Sequence, residues 1–567
     1  MKVLGISEPD RDAGAALIKN GRIVYSANEE RFSRKKLHQG FPYKTIDWLL
    51  EESGWALEDL DAIVIAKPPL WLELKQNFAP YLKVKWFKGG RLFKGLLEMA
   101  FQLGYFIPQN VKTNIKLDRQ IKGWLSENNV PSSKVARVNH HLSHAASTYF
   151  TSGFDEACVV TCDGQGAGET ATIWHGKNGK LKKIHQVYVP HSMGYFYGLV
   201  THLLGYTANR HEGKITGLAG FGPFDHDVYE LCKEVAEYKE GTFTVHNLFG
   251  NYFTFKKLIK KSKEGPTGVS AAFQKRLEDV LVSYVTHYVK KLGLKNVAMA
   301  GGVFANVKLN QRIHEIKEVD SVFIFSQMND GGIGAGAAIQ YCAENMHVKP
   351  EPIKNVYLGP QYSNEEIEET LQEKKLKYRR PKDYEAEVAK LLTKGKVVGL
   401  CQGRMEAGPR ALGNRTIMYE AKDPAVNDWL NERLNRSEFM PFAPVTLWED
   451  RHKYYKHLEG VEHTAQFMTI TVNCTEKFKK ECPAAFHKDG TARPQLIKRE
   501  QNPRYYGILE EYKKLSGCST LINTSFNMHE EPIVRTPQDA IRAFLLGNLD
   551  VLAIGDFLVE QEVSSSV

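Results

Sequence analysis

The eight cysteines of this 567-residue chain form no CxxC pair, so a zinc ribbon or a disulfide framework is not expected. Their scatter fits thiols kept reduced in a cytoplasm. No stretch reaches the ~18 uninterrupted apolar residues that a membrane span requires. The opening MKVLGISEPD has too short an apolar run for a signal peptide and reads as a first core strand. Short repeats and low-complexity tracts are also missing. With 42% hydrophobic and 25% charged residues, the composition excludes a disordered chain or a fibre. At about 150 residues per domain, the length corresponds to two to four domains with ample buried surface.

Positive charge is present in excess, and it is unevenly placed. The formal net charge is +9, and between Leu72 and Leu125 ten Lys and Arg stand against three Asp and Glu, a net of +7. Within this segment Lys83, Lys85, Lys88, Arg91 and Lys94 interleave with Trp86, Phe87, Phe93, Leu96, Leu97 and Phe101. Such mixing suits an anionic membrane surface or a glycolipid headgroup, and phosphates of nucleic acid attract the same cations. The plainer reading is a helical insertion, about 72–125, whose lysines face water.

Strand-like runs at Val3–Ile6, Ala15–Ile18 and Arg22–Ser26 surround an Asn20-Gly21 hairpin signal. A helix near Tyr43–Glu52 and a strand at Ala62–Ala66 follow. This course resembles half of an actin or sugar-kinase type nucleotide domain. It recurs at Ala157–Thr161, ending in Asp163-Gly164, and at Thr170–Trp174 with an Asn178-Gly179 turn. Asn296–Ala300 then runs into Gly301-Gly302, and Val322–Phe325 leads to Asp330-Gly331-Gly332. Strands ending in Asp-Gly or Gly-Gly place N–H groups and carboxylates at the edge where α/β sheets bind ligands. The expected organisation is a duplicated α/β domain over 1–345, a proline-containing linker over 346–362, and a second α/β domain over 363–567.

Two constellations carry chemistry. His140 and His144 in HHLSHAAS are four apart and share one helix face, although a lone HxxxH is often packing. Asp163 in CDGQGAG and Asp330 in NDGGIGAG supply two acids, each of which could equally be a plain turn. Two imidazoles with two carboxylates suit iron(II) first, with manganese, magnesium or zinc as options. The second constellation is QGRMEAGPRALGNR, where Arg404, Arg410 and Arg415 follow an apolar strand at Val397–Leu400. Arginine forks bind phosphate, and glycines make room for it. Arg436, Arg493, Asn523, Ser525 and Asn527 add donors in the same half, pointing to a polyanion such as a triphosphate. Alternatively the arginines are structural, paired with acids such as Glu406 and Glu438.

HHLSHAAS, CDGQGAGET, HEGKITGLAGFG, GGVFANVKLN, NDGGIGAGAA, QGRMEAGPRALGNR, PFAPV, DGTARPQ and NTSFNMHEEPIV occur here in one order. In this the chain resembles the NodU/CmcH carbamoyltransferase family from Val3 to Leu558. The resemblance implies a TsaD-like domain of the actin/sugar-kinase superfamily joined to a C-terminal YrdC-like α/β domain. It also implies an O-carbamoyltransferase: carbamoyl phosphate yields carbamate, and ATP with Mg2+ converts this to carbamoyl-adenylate and pyrophosphate. The first domain then passes the carbamoyl group to an acceptor hydroxyl.

Matched residue by residue, His140, His144, Asp163 and Asp330 fall on the family's metal positions. Lys36, in EERFSRKK, falls on a lysine that contacts carbamoyl-adenylate. The nucleotide-contacting set expected from the motifs is Lys36, Gly301, Gly302, Asn306, Arg404, Arg410, Arg415, Arg436, Arg493, Asn523, Ser525 and Asn527. Arg11-Asp12 stands where many members carry His-Asp, and arginine is no base near neutral pH. Asp12 is then a candidate base or Arg11 a contact for an anionic acceptor, with Lys36 and His144 completing the catalytic set. Met440 stands for an arginine before PFAP, and Glu530-Glu531-Pro532 for Gly-Glu-Pro.

The acceptor expected is a sugar hydroxyl, on a lipid-linked or lipopolysaccharide-type glycan, met in the cytoplasm or at the inner membrane surface. Carbamoylation of a small soluble natural product and tRNA threonylcarbamoyl-adenosine synthesis are the alternative functions. No nucleic-acid partner is expected of the leading one.

Overall fold

The computed structural model describes residues 1–78, 98–436 and 439–561. The chain divides into two compact units, one from Met1–Glu29 with Leu37–Ile353, the other from Glu30–Lys36 with the chain from Lys354 onward.

In the first unit, β1 (Lys2–Ile6), β2 (Gly14–Lys19), β3 (Arg22–Asn28), β4 (Ala62–Ile65) and β5 (Val135–Arg137) form one sheet in the order β3-β2-β1-β4-β5. The sheet is mixed: β2 and β3 pair antiparallel, whereas β1, β4 and β5 run parallel. The same arrangement is then repeated. With β6 (Glu156–Gly166), β7 (Glu169–Lys177), β8 (Lys180–Tyr188), a hairpin of β9 (Ala236–Lys239) and β10 (Thr242–Val245), β11 (Asn296–Ala300) and β12 (Ser321–Ile324), the second sheet has the order β8-β7-β6-β11-β12. The β2–β3 and β7–β8 hairpins both turn on Asn-Gly. Asn20 and Asn178 have φ of 53° and 50°, the left-handed region that a two-residue hairpin loop uses.

Helices His140–Ser152 and Ile333–Asn345 are buried between these sheets. Their contact is lined by Ala145, Ala146, Ala335, Ala337 and Ala338, small residues that let two backbones approach. The central strands β1, β4 and β11 are apolar on both faces because helices cover both.

The basic segment begins and ends as structure. Helix Leu70–Phe78 opens it and helix Ile107–Glu127 closes it. The second buries Leu117, Ile121 and Trp124, with Ile121 and Trp124 packed on a cluster containing Leu4, Ile6, Ile46 and Ile63. Lys83, Lys85, Lys88, Arg91, Lys94 and the residues interleaved with them up to Leu97 lie outside the described residues, as does Glu438. Among the described residues, no helix is long and apolar enough to cross a membrane.

The second unit is built on a seven-stranded mixed sheet. Its strands are β13 (Val398–Cys401), β14 (Arg415–Glu420), β15 (Ala443–Leu447), β19 (Gln495–Ile497), β20 (Thr520–Ser525), β21 (Val551–Ile554) and β22 (Phe557–Glu560), ordered β19-β15-β20-β14-β13-β21-β22. A small sheet of β16 (Tyr455–Lys456), β17 (Val472–Cys474) and β18 (Thr491–Ala492) stands beside it. The segment Glu30–Lys36 is bound into this unit by its arginines. Arg31 donates to the Gly408 carbonyl at 2.9 Å, and Arg34 donates to the Ile533 and Pro532 carbonyls at 2.8 and 3.0 Å. Lys36 therefore belongs to the second unit and is exposed there.

Candidate metal centre and arginine loop

The helix His140–Ser152 starts at the first histidine, because the Asn139 side chain accepts from the Leu142 N–H at 3.2 Å and caps it. His140 and His144 thus stand one turn apart on a buried face, ring centroids 4.8 Å from each other. Asp163 is not at a strand end as its Asp-Gly pair suggests. β6 runs on to Gly166, and its register with β7 shifts between Cys162 and Gly166. Such an irregularity re-aims a side chain, and here it turns Asp163 toward His144. Asp330 begins the short turn Asp330–Gly332 that leads into helix Ile333–Asn345.

His144 Nε2 lies 3.3 Å from both Asp163 Oδ2 and Asp330 Oδ1, and His140 Nε2 lies 3.6 Å from Asp330 Oδ1. One ligand atom from each of the four falls within 4.8 Å of all the others. Two glycines make the space. A Cβ at Gly166 would stand 2.1 Å from the His140 ring, and Gly301, at φ +109°, would drive one to 2.2 Å from the Cys162 carbonyl.

The charges in this cluster are poorly balanced by the protein alone. Burial pushes Asp163 up, but the hydrogen bond with His144, both imidazoles and the Gly302 N–H at 2.9 Å bring it well below the usual range. Burial and the charge of Asp163 push Asp330 far above it. Both carboxylates ionise together only where positive charge stands between them, from a protonated imidazole or a bound cation. His140 Nε2 is buried without a hydrogen-bond partner, although its Nδ1 meets Glu8. The donor set therefore fits a divalent cation. His141 does not belong to it, for its Nδ1 and Nε2 are taken by Thr161 at 2.6 Å and the Glu169 carbonyl at 3.1 Å.

Asp12 is buried, with φ 55°, and accepts from the side-chain amides of Asn28 at 2.7 Å and Asn329. That ties the β1–β2 loop and the end of β3 to the residue before Asp330. Arg11 beside it is exposed. Gly302 serves the site directly through its N–H to Asp163, whereas Asn306 caps the helix Val307–His314 and donates to Gln274 at 2.8 Å.

In the second unit, a buried acid organises the arginine loop. Glu406 Oε1 accepts from the N–H groups of Leu412, Asn414 and Arg415 at 2.7, 2.8 and 3.1 Å. It thus holds main chain, and among the described residues no arginine guanidinium pairs with it. Arg415 departs from the phosphate-binding role read from sequence. Its terminal nitrogens donate to the carbonyls of Gln402, Gly403, Asn414 and Pro360, so it clamps the loop from within. Arg404 turns to the Leu358 carbonyl at 3.0 Å and the Gly359 carbonyl at 3.4 Å. Asn523 is similarly committed, donating to Ala411 and Gln495 and accepting from Thr416. Arg436 donates to Thr524 Oγ1, to the Ser525 and Asn527 carbonyls and to the Asn527 side chain, bringing three of the expected residues together. Arg410 and Arg493 are half-buried.

Sequence reasoning missed Glu8, Lys67, Glu73 and Asn114, a buried polar group behind His140. A lysine directly after the apolar run Ala62–Ala66 was the available signal.

Residues 2–339 match the family model described as carbamoyltransferase N-terminus, and residues 389–561 match the one described as carbamoyltransferase C-terminus. The chain belongs to the carbamoyltransferase family. An uncharacterised protein of Synechocystis is 33% identical over 98% of this carbamoyltransferase and 96% of its own length. The nodulation protein NolNO of Sinorhizobium fredii is 29% identical over 98% of the chain and 79% of its own. Nodulation protein U of Rhizobium tropici is 26% identical, covering 93% and 91%. Among solved structures, an activator of 2-hydroxyisocaproyl-CoA dehydratase from Clostridium difficile with bound ADPNP covers 61% of the chain and 95% of its own. It is 14% identical with a TM-score of 0.35. Full-length HypF, in a phosphate- and nucleotide-bound form, covers 60% and 55% at 13% identity and a TM-score of 0.32. Carbamoyl transfer is the chemistry that the family assignment supports.

Proposed function

We propose that this carbamoyltransferase is an ATP-dependent O-carbamoyltransferase with its two half-reactions divided between the units. The observation that carries the reading is the convergence of His140, His144, Asp163 and Asp330 in a chain that matches both halves of the family. In the second unit, which we read as YrdC-like, carbamoyl phosphate loses its phosphate to water. The resulting carbamate oxygen attacks the α-phosphorus of ATP, releasing pyrophosphate and leaving carbamoyl-adenylate. Fixed positive charge from Arg410, Arg436 and Arg493 suits oxygens that gain negative charge. In the first unit, read as an actin/sugar-kinase-like duplication because both sheets share one strand order, an acceptor hydroxyl attacks the carbamoyl carbon. AMP leaves, and the hydroxyl proton goes to a base. His140, His144, Asp163 and Asp330 would hold a divalent cation, iron(II) foremost, which supplies Lewis acidity toward carbonyl or phosphate oxygen.

The division of labour is testable in two variants. His144→Ala should lose bound metal and acyl transfer while keeping ATP–pyrophosphate exchange with carbamoyl phosphate. Arg410→Ala should show the reverse, with adenylation slowed by about 2–4 kcal/mol of barrier and transfer from supplied carbamoyl-adenylate retained. Loss of exchange in folded His144→Ala would refute the assignment.

For the acceptor, we propose a hydroxyl on a neutral or anionic sugar. The +7 segment would repel a polycation, and Trp71, 69% exposed just before it, suits a sugar ring or a lipid interface. A mass gain of one carbamoyl group on a panel of sugars and glycolipids would identify it.

A further inference from the structure

Lys67 follows β4 and is fully buried, where an unpaired ammonium would be prohibitively unfavourable. Its three donors meet three acceptors. Lys67 Nζ donates to Glu8 Oε1 at 2.6 Å and to Asn114 Oδ1 at 2.8 Å, and it pairs with the Glu73 carboxylate. Glu8 follows β1, and its second oxygen, Oε2, lies 3.1 Å from His140 Nδ1. His140 Nε2, across the same ring, faces the metal cluster.

The order of these contacts has a chemical consequence. Lys67 has only donors to offer, so Glu8 must accept from it with one oxygen. The other oxygen is a carboxylate acceptor, which calls for a proton on His140 Nδ1. That leaves the Nε2 lone pair free to hold a cation, the tautomer a ligating imidazole requires. Glu73 lies on helix Leu70–Phe78 and Asn114 on helix Ile107–Glu127. The two helices that bound the basic segment therefore supply the inner ends of the relay.

We propose that Glu8, oriented by Lys67 with Glu73 and Asn114, is the positioning residue that sets the tautomer and ring orientation of the metal ligand His140. Those two helices thus support the metal centre from behind His140. This inference rests on the metal-binding reading of His140, His144, Asp163 and Asp330.

Glu8→Gln tests it with little change of volume. The glutamine oxygen must face Lys67, so its NH2 faces His140 Nδ1 and demands an acceptor there. The proton then moves to Nε2 and blocks the ligand position. Mn2+ binding to the full chain, followed by the loss of the free-ion EPR signal, reads the outcome without any activity assay. Wild type should bind one Mn2+ at the cluster, His144→Ala none, and Glu8→Gln should bind about 10–100-fold more weakly. Its metal-free Tm should stay near that of wild type. Should Glu8→Gln fail to fold, Glu8→Asp keeps the Lys67 pair charged but draws the second oxygen away from His140, and the same weakening is expected. Binding as tight as wild type in a folded Glu8→Gln, or failing that in Glu8→Asp, overturns the relay. If wild type and His144→Ala bind Mn2+ alike, the metal reading itself falls and the relay with it.

Discussion

At the scale of single residues, burial decides which polar groups are functional and which are structural. Arg415 and Asn523 looked like ligand contacts in sequence because arginine and asparagine are donors, yet Arg415's terminal nitrogens and the Asn523 amide are engaged by carbonyls and amides of their own unit. His140 and His144 share one helix face, as their spacing predicts, but only the fold adds that His140 Nε2 is buried without a hydrogen-bond partner. Glu98 shows how a buried charge should register in solution. Burial raises its carboxyl above the ordinary 4.5, against the Gln102 hydrogen bond and the N–H groups of Gly250 and Phe249. A folded-state value above the unfolded one means the folded state keeps the proton longer. The stability it contributes is full below 4.5 and declines as pH rises through the folded value. Glu98→Gln keeps an oxygen for both N–H groups and removes the charge. Its Tm relative to wild type should therefore be higher near pH 7 than near pH 4. Parallel Tm curves for the two proteins would remove Glu98 from this account.

At the scale of elements, strand and turn signals were legible where hydrophobic runs met Asn-Gly, and Asn296–Ala300 coincides with its strand. β6 was not, since the Asp163-Gly164 pair reads as a stop and the ladder with β7 carries the strand past it. The contact between helices His140–Ser152 and Ile333–Asn345 is the element-level feature on which the metal centre depends. A Cβ at Gly336 would stand 1.9 Å from the Ser143 carbonyl and 3.0 Å from Ser147 Cβ. Gly336→Ala must push these helices apart and carry both histidines with it. A loss of about 1–3 kcal/mol in stability, read by denaturant unfolding, should come with weaker Mn2+ binding. Unchanged binding would show that the histidines tolerate the shift.

At the scale of the whole molecule, the second unit is discontinuous in sequence. A fragment of residues 354–561 lacks Arg31 and Arg34, which donate to Gly408, Ile533 and Pro532. Hydrogen bonds from charged donors contribute about 1.5–3 kcal/mol each, so the fragment should unfold at lower denaturant than one with residues 30–36 fused through a flexible linker. Equal midpoints would show that the segment is not part of the unit's stability. The basic segment bears on the molecule's surroundings: if it meets anionic lipid, wild type should sediment with anionic vesicles at low salt and be released at high salt. Lys83, Lys85, Lys88 and Lys94→Gln together should abolish this, each lysine adding about 1 kcal/mol. Equal solubility of both proteins at low salt would leave carbamoyl transfer without a membrane.

By itself the sequence determined the α/β class, the repeated strand course, the HxxxH face and the family, because periodicity, turn chemistry and ordered motifs are local. Tertiary structure alone decided that Glu30–Lys36 joins the second unit and that Glu406 binds main chain. It alone decided, too, that Lys67 reaches Glu8, Glu73 and Asn114 behind His140. Those partners lie between 6 and 59 residues from Lys67, and hundreds from Arg31 and Arg34. A buried charge selects its partner by distance in space, and no local pattern records that.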